Sequence, residues 1–135
     1  ETPTTRLRRV ERVRRRPDFE RAYDTGIRIP GRFMMLFLVP NGGAAPRLGV
    51  AATRKLGGAV IRNRAKRLAR ELFRRHKVAA GLDVIVVPRR EMLDAPFASL
   101  EADYHATLER CVRTHQSSPT PQRRRNPRPR AASRV

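Results

Sequence analysis

Acidic residues are scarce in this chain: 12 Asp and Glu stand against 31 Lys and Arg in 135 residues. Cysteine is scarcer still. Cys111 is alone, which excludes an internal disulfide, and no C-x-x-C pair is present to hold a metal. No apolar run approaches the length of about 18 residues needed to cross a bilayer. The N-terminus is positively charged but lacks the apolar segment of a signal peptide. A cytoplasmic protein with no membrane-spanning segment fits these three absences. Tryptophan is missing, and only five Phe and two Tyr are present. Four of these seven aromatics, Phe19, Tyr23, Phe33 and Phe37, fall within one short stretch.

What is abundant is positive charge. The formal net is +19, spread over the whole chain. Residues 1–16 carry +5, residues 116–135 carry +6, and residues 17–115 still hold 18 basic and 10 acidic side chains. A field of one sign repels itself, and a polyanion is the natural source of countercharge. Nucleic acid is the first candidate and an anionic membrane surface the second. All but Lys55, Lys66 and Lys77 of the basic residues are Arg. Arg presents a planar donor fork to phosphate and stacks on bases; genomic base composition that favours Arg codons produces the same ratio.

Apolar periodicity predicts seven elements in one domain of ordinary size. Pro17, Asp18 and Glu20 suit the first turn of a helix over 17–25, with Phe19, Ala22 and Tyr23 on one face and Gly26 ending it. A short strand is expected at 27–29. The apolar runs 33–39 and 47–53, separated by Pro40-Asn41-Gly42-Gly43 and Pro46, read as an antiparallel hairpin with a loose loop. A long helix spans 59–77, with Ile61, Ala65, Leu68, Leu72 and Phe73 as its inward stripe. A strand at 83–87 and a helix at 97–113, opened by Pro96, complete the order α-β-β-β-α-β-α. One small sheet with helices on it satisfies this order, so the fold class is α+β, a two-layer α/β sandwich. The domain is expected over 17–115, after a basic N-terminal arm at 1–16 and before a disordered Arg-, Pro- and Ser-rich tail at 116–135.

The long helix concentrates the charge. Residues 54–77 hold ten basic residues and one acid, Glu71. At 100° per residue, Arg62, Lys66 and Arg70 form one row, and Asn63, Arg67 and Arg74 the next. The face is nearly all cationic and about 28 Å long. Like charges at i, i+4 cost a few tenths of a kcal/mol per pair, so stability alone would not select it. A solvated helix face or a membrane-surface helix are the other readings of such a stripe. A membrane inserter, however, needs a bulky apolar face to spare, and here that face is committed to the core.

Thr53 to Arg70 then carries a recognisable pattern: Arg62-Asn63-Arg64, one residue, Lys66-Arg67, two residues, Arg70. This resembles the signature of the bacterial ribonuclease P protein family. The likeness extends to Pro17-Asp18-Phe19, Tyr23 and Gly26, to Phe33 and Phe37, to Leu48-Gly49-Val50, and to Asp83-Val84-Ile85-Val86-Val87, covering about residues 6–113. The resemblance implies a ribosomal protein S5 domain 2-like fold with a left-handed β-α-β crossover, where general experience favours a right-handed one. It also implies an accessory subunit of a catalytic RNA. The ribonucleoprotein is an endoribonuclease that removes the 5′ leader from precursor tRNA; the RNA carries the active site and its Mg²⁺ ions, and the protein itself is expected to hold no cofactor, no metal and no catalytic residue. One copy per RNA is the family expectation, with the protein a monomer.

By that resemblance Arg54, Lys55, Arg62, Asn63, Arg64, Lys66, Arg67 and Arg70 contact the catalytic RNA, and Phe19, Tyr23, Phe37, Lys66 and Arg70 line a cleft for the leader. Stacking of unpaired bases on aromatics beside a cationic groove is the physical basis for such a cleft. Phe19, Phe33 and Phe37 also suit a core, Phe33 most of all; Phe33 and Phe37, an even number apart, are expected on one face of their strand. A generic ribosomal-type RNA-binding protein with no part in cleavage is the alternative. A protein nuclease finds little support: nothing in the pattern brings His76, His105 and His115 together, and the carboxylates are scattered. Cys111 and His115, at i, i+4, supply two metal ligands where a site needs more.

Overall fold

The computed structural model describes residues 11–43 and 45–117. The expectations for residues 1–10 and for the tail from 118 onward lie outside the described residues. Helix α1 (Arg16–Thr25) leads into strands β1 (Ile27–Pro30), β2 (Met34–Pro40) and β3 (Arg47–Val50); helix α2 (Ala59–Arg75), strand β4 (Leu82–Pro88), a 3₁₀ turn (Arg90–Leu93) and helix α3 (Phe97–Ser117) follow. The class and element order are those expected from the sequence. The folded unit takes in more at both ends: Val13 is buried, Arg12 bridges to Leu48, and α3 runs to Ser117.

The strand order is β1-β2-β4-β3. The 33–39 and 47–53 segments therefore do not form the expected hairpin. β4 lies between them, antiparallel to β2 and parallel to β3. The reason is burial on both faces. Val84, Ile85 and Val86 are each sealed from solvent, and a strand apolar on both sides is stable only in the interior of a sheet covered on both faces. The true hairpin is β1–β2, with Ile27 opposite Leu38 and Pro30 opposite Met35. Its turn is held from outside: Asp103 of α3 accepts from the backbone N–H groups of Arg32 at 3.0 Å and Phe33 at 2.9 Å.

Alternation along β2 divides the core. Met34, Leu36 and Leu38 meet Leu72 and Phe73 of α2 and Leu100, Tyr104 and Leu108 of α3. Phe37 and Val39 point the other way, onto Phe19, Ala22 and Tyr23 of α1. Each such fully buried large side chain contributes roughly 1.5–3 kcal/mol. Phe33 belongs to the α2/α3 side, not to the side of Phe37. It precedes the strand, and the turn resets the alternation that an even separation had implied.

The parallel pair β3 and β4 is joined by α2, so the charged helix is the crossover of a β-α-β unit between adjacent strands. The start of β4 carries the buried Asp83, whose carboxylate takes Nε of Arg47 at 2.8 Å, Nη2 of Arg47 at 2.6 Å and Nδ2 of Asn41 at 2.9 Å.

Candidate nucleic-acid interface

Helix α2 is fixed by a narrow apolar line. Ala65, Ala69, Leu72 and Phe73 are buried, and the small residues let the helix lie close to the sheet. Ile61, expected inward, is 38% exposed, and its neighbour Val60 is 80% exposed; both lie in the first turn of α2, ahead of the buried line that begins at Ala65. Gly58 caps the helix without a side-chain hydrogen bond, and Arg62 N–H closes the first turn on Gly58 O at 2.9 Å.

The cations on α2 fall into two groups. At its C-terminal end Glu71 accepts from Arg74 Nη2 and from Arg75 Nε. The Arg75 hydrogen bond, helped by Arg74, holds the Glu71 carboxyl below the usual carboxylate range against the opposing effect of burial. Toward the N-terminus the picture reverses. Arg62, Arg64, Lys66 and Arg67, with Arg54 and Lys55 of the preceding turn, have no carboxylate within salt-bridge distance among the described residues. Asn63, Arg64 and Arg67 are exposed; Arg62, Lys66 and Arg70 are half-buried. The structure thus gathers all eight residues expected to meet the catalytic RNA onto one helix and the turn that feeds it.

Beside this face lies a cleft of about 240 Å³, lined by Arg12, Val13, Arg14, Phe19, Leu48, Val50, Lys66 and Arg70. Of the five residues expected there, Phe19, Lys66 and Arg70 are brought together. Tyr23 and Phe37 are not: they are fully buried behind Phe19 on the α1 side of the sheet, Tyr23 edge-on to Phe37 with ring centroids 5.1 Å apart. They support Phe19, whose ring lies 6.4 Å from that of Tyr23, and do not open to the cleft. Close approach of Phe19 to the sheet depends on Gly49, where a Cβ would stand 3.1 Å from the Phe19 ring and 2.7 Å from Ile85. Arg12 and Arg14 were missed in the sequence. Their signal was the alternation Arg12-Val13-Arg14, an extended segment with Val13 inward; its backbone N–H donates to Leu48 O at 2.8 Å.

The histidines also differ from expectation. His76, at the end of α2, and His105 of α3 face each other with ring centroids 5.1 Å apart. Each has a carboxylate neighbour, Glu101 at 3.2 Å from His76 Nε2 and Glu109 at 3.3 Å from His105 Nε2. The pair meets because the C-terminus of α2 packs on the middle of α3, which no local pattern encodes. Among the described residues, no group of three or more His, Cys, Asp or Glu is arranged to hold a metal, and no helix is long and apolar enough to cross a membrane. Cys111 is buried, so it forms no site with His115.

Known proteins resemble this chain throughout the folded region. The family model described as Ribonuclease P matches residues 7–112. The ribonuclease P protein component of Oleidesulfovibrio alaskensis is 43% identical over 90 residues, covering 64% of this chain and 72% of that protein. The component of Caldanaerobacter subterraneus is 31% identical over 104 residues, covering 76% and 90%. Among solved structures, the ribonuclease P protein of Thermotoga maritima superposes with a TM-score of 0.66 at 32% identity, covering 74% of this chain and 96% of that one. That of Staphylococcus aureus gives 0.65 at 31%, covering 73% and 93%. With a family match over most of its length, and a fold shared with solved members, the chain belongs to the ribonuclease P protein family.

Proposed function

We propose that this protein is the RNA-binding subunit of ribonuclease P and assists a catalytic RNA in removing the 5′ leader from precursor tRNA. The observation that carries the reading is the unpaired cationic face of α2. Six cations without carboxylate partners, Arg54, Lys55, Arg62, Arg64, Lys66 and Arg67, stand on one surface with Asn63 and Arg70. They would neutralise phosphates of the catalytic RNA, and Asn63 would add a directed hydrogen bond. Such contacts position a folded RNA by shape and backbone and carry little sequence information.

The leader is assigned to the cleft beside that face. Phe19 offers a ring at its wall for base stacking, worth about 1–3 kcal/mol per base, while Lys66, Arg70, Arg12 and Arg14 offer phosphate partners. Tyr23 and Phe37 act from below by holding Phe19 in place. Lys66 and Arg70 belong to both the helix face and the cleft, so RNA subunit and leader would meet along one side of α2. Hydrolysis itself is assigned to the RNA with its Mg²⁺ ions, with one protein per RNA, in the cytoplasm.

Reconstitution tests this reading. The protein is added to the ribonuclease P RNA of its source at low Mg²⁺, and precursor cleavage is followed. A gain in rate or substrate affinity is expected. No gain would favour the alternative, a ribosomal-type RNA binder with no part in cleavage, and cleavage by the protein with RNA omitted would overturn the assignment of chemistry to RNA.

A further inference from the structure

We infer that Val60, with Ile61 behind it, is an apolar contact to the RNA that packs against the face of an unstacked base or its ribose, at the N-terminal end of the cationic surface of α2. The inference rests on the reading of α2 as the RNA-binding helix and adds a second kind of contact to it.

Val60 and Ile61 are the large apolar side chains exposed among the described residues. A single exposed aliphatic needs no explanation. These two are neighbours, and they stand between cations: Arg54 and Lys55 precede them and Arg62 and Arg64 follow. The local backbone is arranged around them. Gly57 has φ +153, and a Cβ there would lie 2.9 Å from the Ile61 side chain, so the turn that carries Arg54 and Lys55 folds closely onto Ile61. That contact keeps Ile61 half covered and leaves Val60 foremost.

The chemistry of the surroundings selects the occupant. A protein partner would need a patch of several hundred Å² on this side, far more than two aliphatic side chains supply. A membrane would need a broad apolar face, and the face around Val60 is charged. A polyanion satisfies the ring of cations, but a valine cannot neutralise a phosphate. It gains only by displacing water from the flat face of a base or from the carbon edge of a ribose. Bases open to such contact occur where a folded RNA has loops, bulges or unstacked positions.

The test uses the intact protein and the ribonuclease P RNA of its source, with binding measured across a salt series. Val60→Ala and Val60→Thr are compared with Arg64→Ala, with melting curves and circular dichroism confirming the fold; Val60 is too exposed for either change to disturb packing. The expected result is a loss of affinity of roughly fivefold to tenfold for both Val60 variants with the salt slope of the unaltered protein, while Val60→Leu retains affinity. Arg64→Ala should lower the slope by about one unit. Unchanged affinity in Val60→Ala and Val60→Thr would overturn the inference and leave the RNA-binding helix standing. A lowered slope in the Val60 variants would overturn it too, since the loss would then run through charge. A flat salt dependence in the unaltered protein would instead sink the reading of α2 on which the inference rests. Self-association in the absence of RNA that Val60→Ala abolishes would assign the patch to a second copy and also refute it.

Discussion

The guanidinium of Arg47 grips the carboxylate of Asp83 side-on, with Nε 2.8 Å from Oδ1 and Nη2 2.6 Å from Oδ2, and the carboxylate is wholly buried. The grip ties the first residue of β3 to β4 and, through Asp18 at 3.7 Å and Arg21 at 3.7 Å, reaches α1. The Asp83 hydrogen bond is also what raises the Arg47 pKa, against the opposing effect of burial. Arg47→Met should leave Asp83 with Asn41 at 2.9 Å and Arg21 at 3.7 Å, a buried charge that has lost its two-pronged partner. A loss of about 3 kcal/mol is expected, read as a lower urea midpoint. Recovery in the Arg47→Met, Asp83→Leu double variant, which removes both charges, would separate the orphaned charge from the worth of the pair.

Gly49 is the point where sheet, α1 and cleft meet. Gly49→Ala should cost about 1–3 kcal/mol through overpacking, because its Cβ would press on Ile85, Val13 and Phe19. The same push displaces Phe19, so leader affinity should fall while affinity for the RNA subunit holds. Binding of precursor with and without its leader reads the difference.

Glu71 keeps two guanidiniums occupied. Its carboxyl is lowered in the folded protein, so its stabilisation is present above the ordinary carboxylate pKa and is lost as pH falls through the lowered value. The stability gap between the unaltered protein and Glu71→Gln should therefore close in acid. Near neutral pH the variant frees Arg74, while Arg75 keeps Glu101 at 3.5 Å, and RNA affinity should rise with a steeper salt slope. Isothermal denaturation at several pH values and a salt titration check the two halves.

The His76–His105 pair offers a direct check on where the chemistry lies. If the two acted as base and acid, replacing both with Asn would cost about 10²- to 10⁴-fold in cleavage rate. An unchanged single-turnover rate is expected, because hydrolysis is assigned to the RNA and the pair stands where the end of α2 packs on α3, with Glu101 and Glu109 as its ion-pair neighbours.

Cys111 is sealed in the core, and burial pushes its thiol up to about 12. Thiol reagents should react with the folded protein only through opening of α3, so the labelling rate should track global stability. Rapid labelling at neutral pH under native conditions would contradict this packing.

The cationic stripe was legible in the sequence because a helix imposes its own period: Arg62, Lys66 and Arg70 share a row whatever α2 packs against. Partnerships made at long range were not. β4 wins the place between β2 and β3 through burial of both its faces, a quantity no window of residues contains. Phe33 fell on the wrong side because a turn restarted the alternation. Tyr23 and Phe37 are cleft residues only by the family resemblance, which carries residue types over but not which aromatic hides behind another. Ile61 fits the stripe of the helical wheel, but the wheel does not say where along the helix burial begins, and in α2 it begins at Ala65.

The position of β4 also governs the order in which this domain can be made. Emerging from the ribosome, β2 can pair with β1 at once, but β3 has no native neighbour in the sheet until Leu82–Pro88 supplies one and joins it to β2. Pairing across such sequence distances slows folding, and the crossover helix is secured only when β4 docks. Nascent chains halted before Leu82 should therefore hold RNA poorly despite displaying every arginine of the signature.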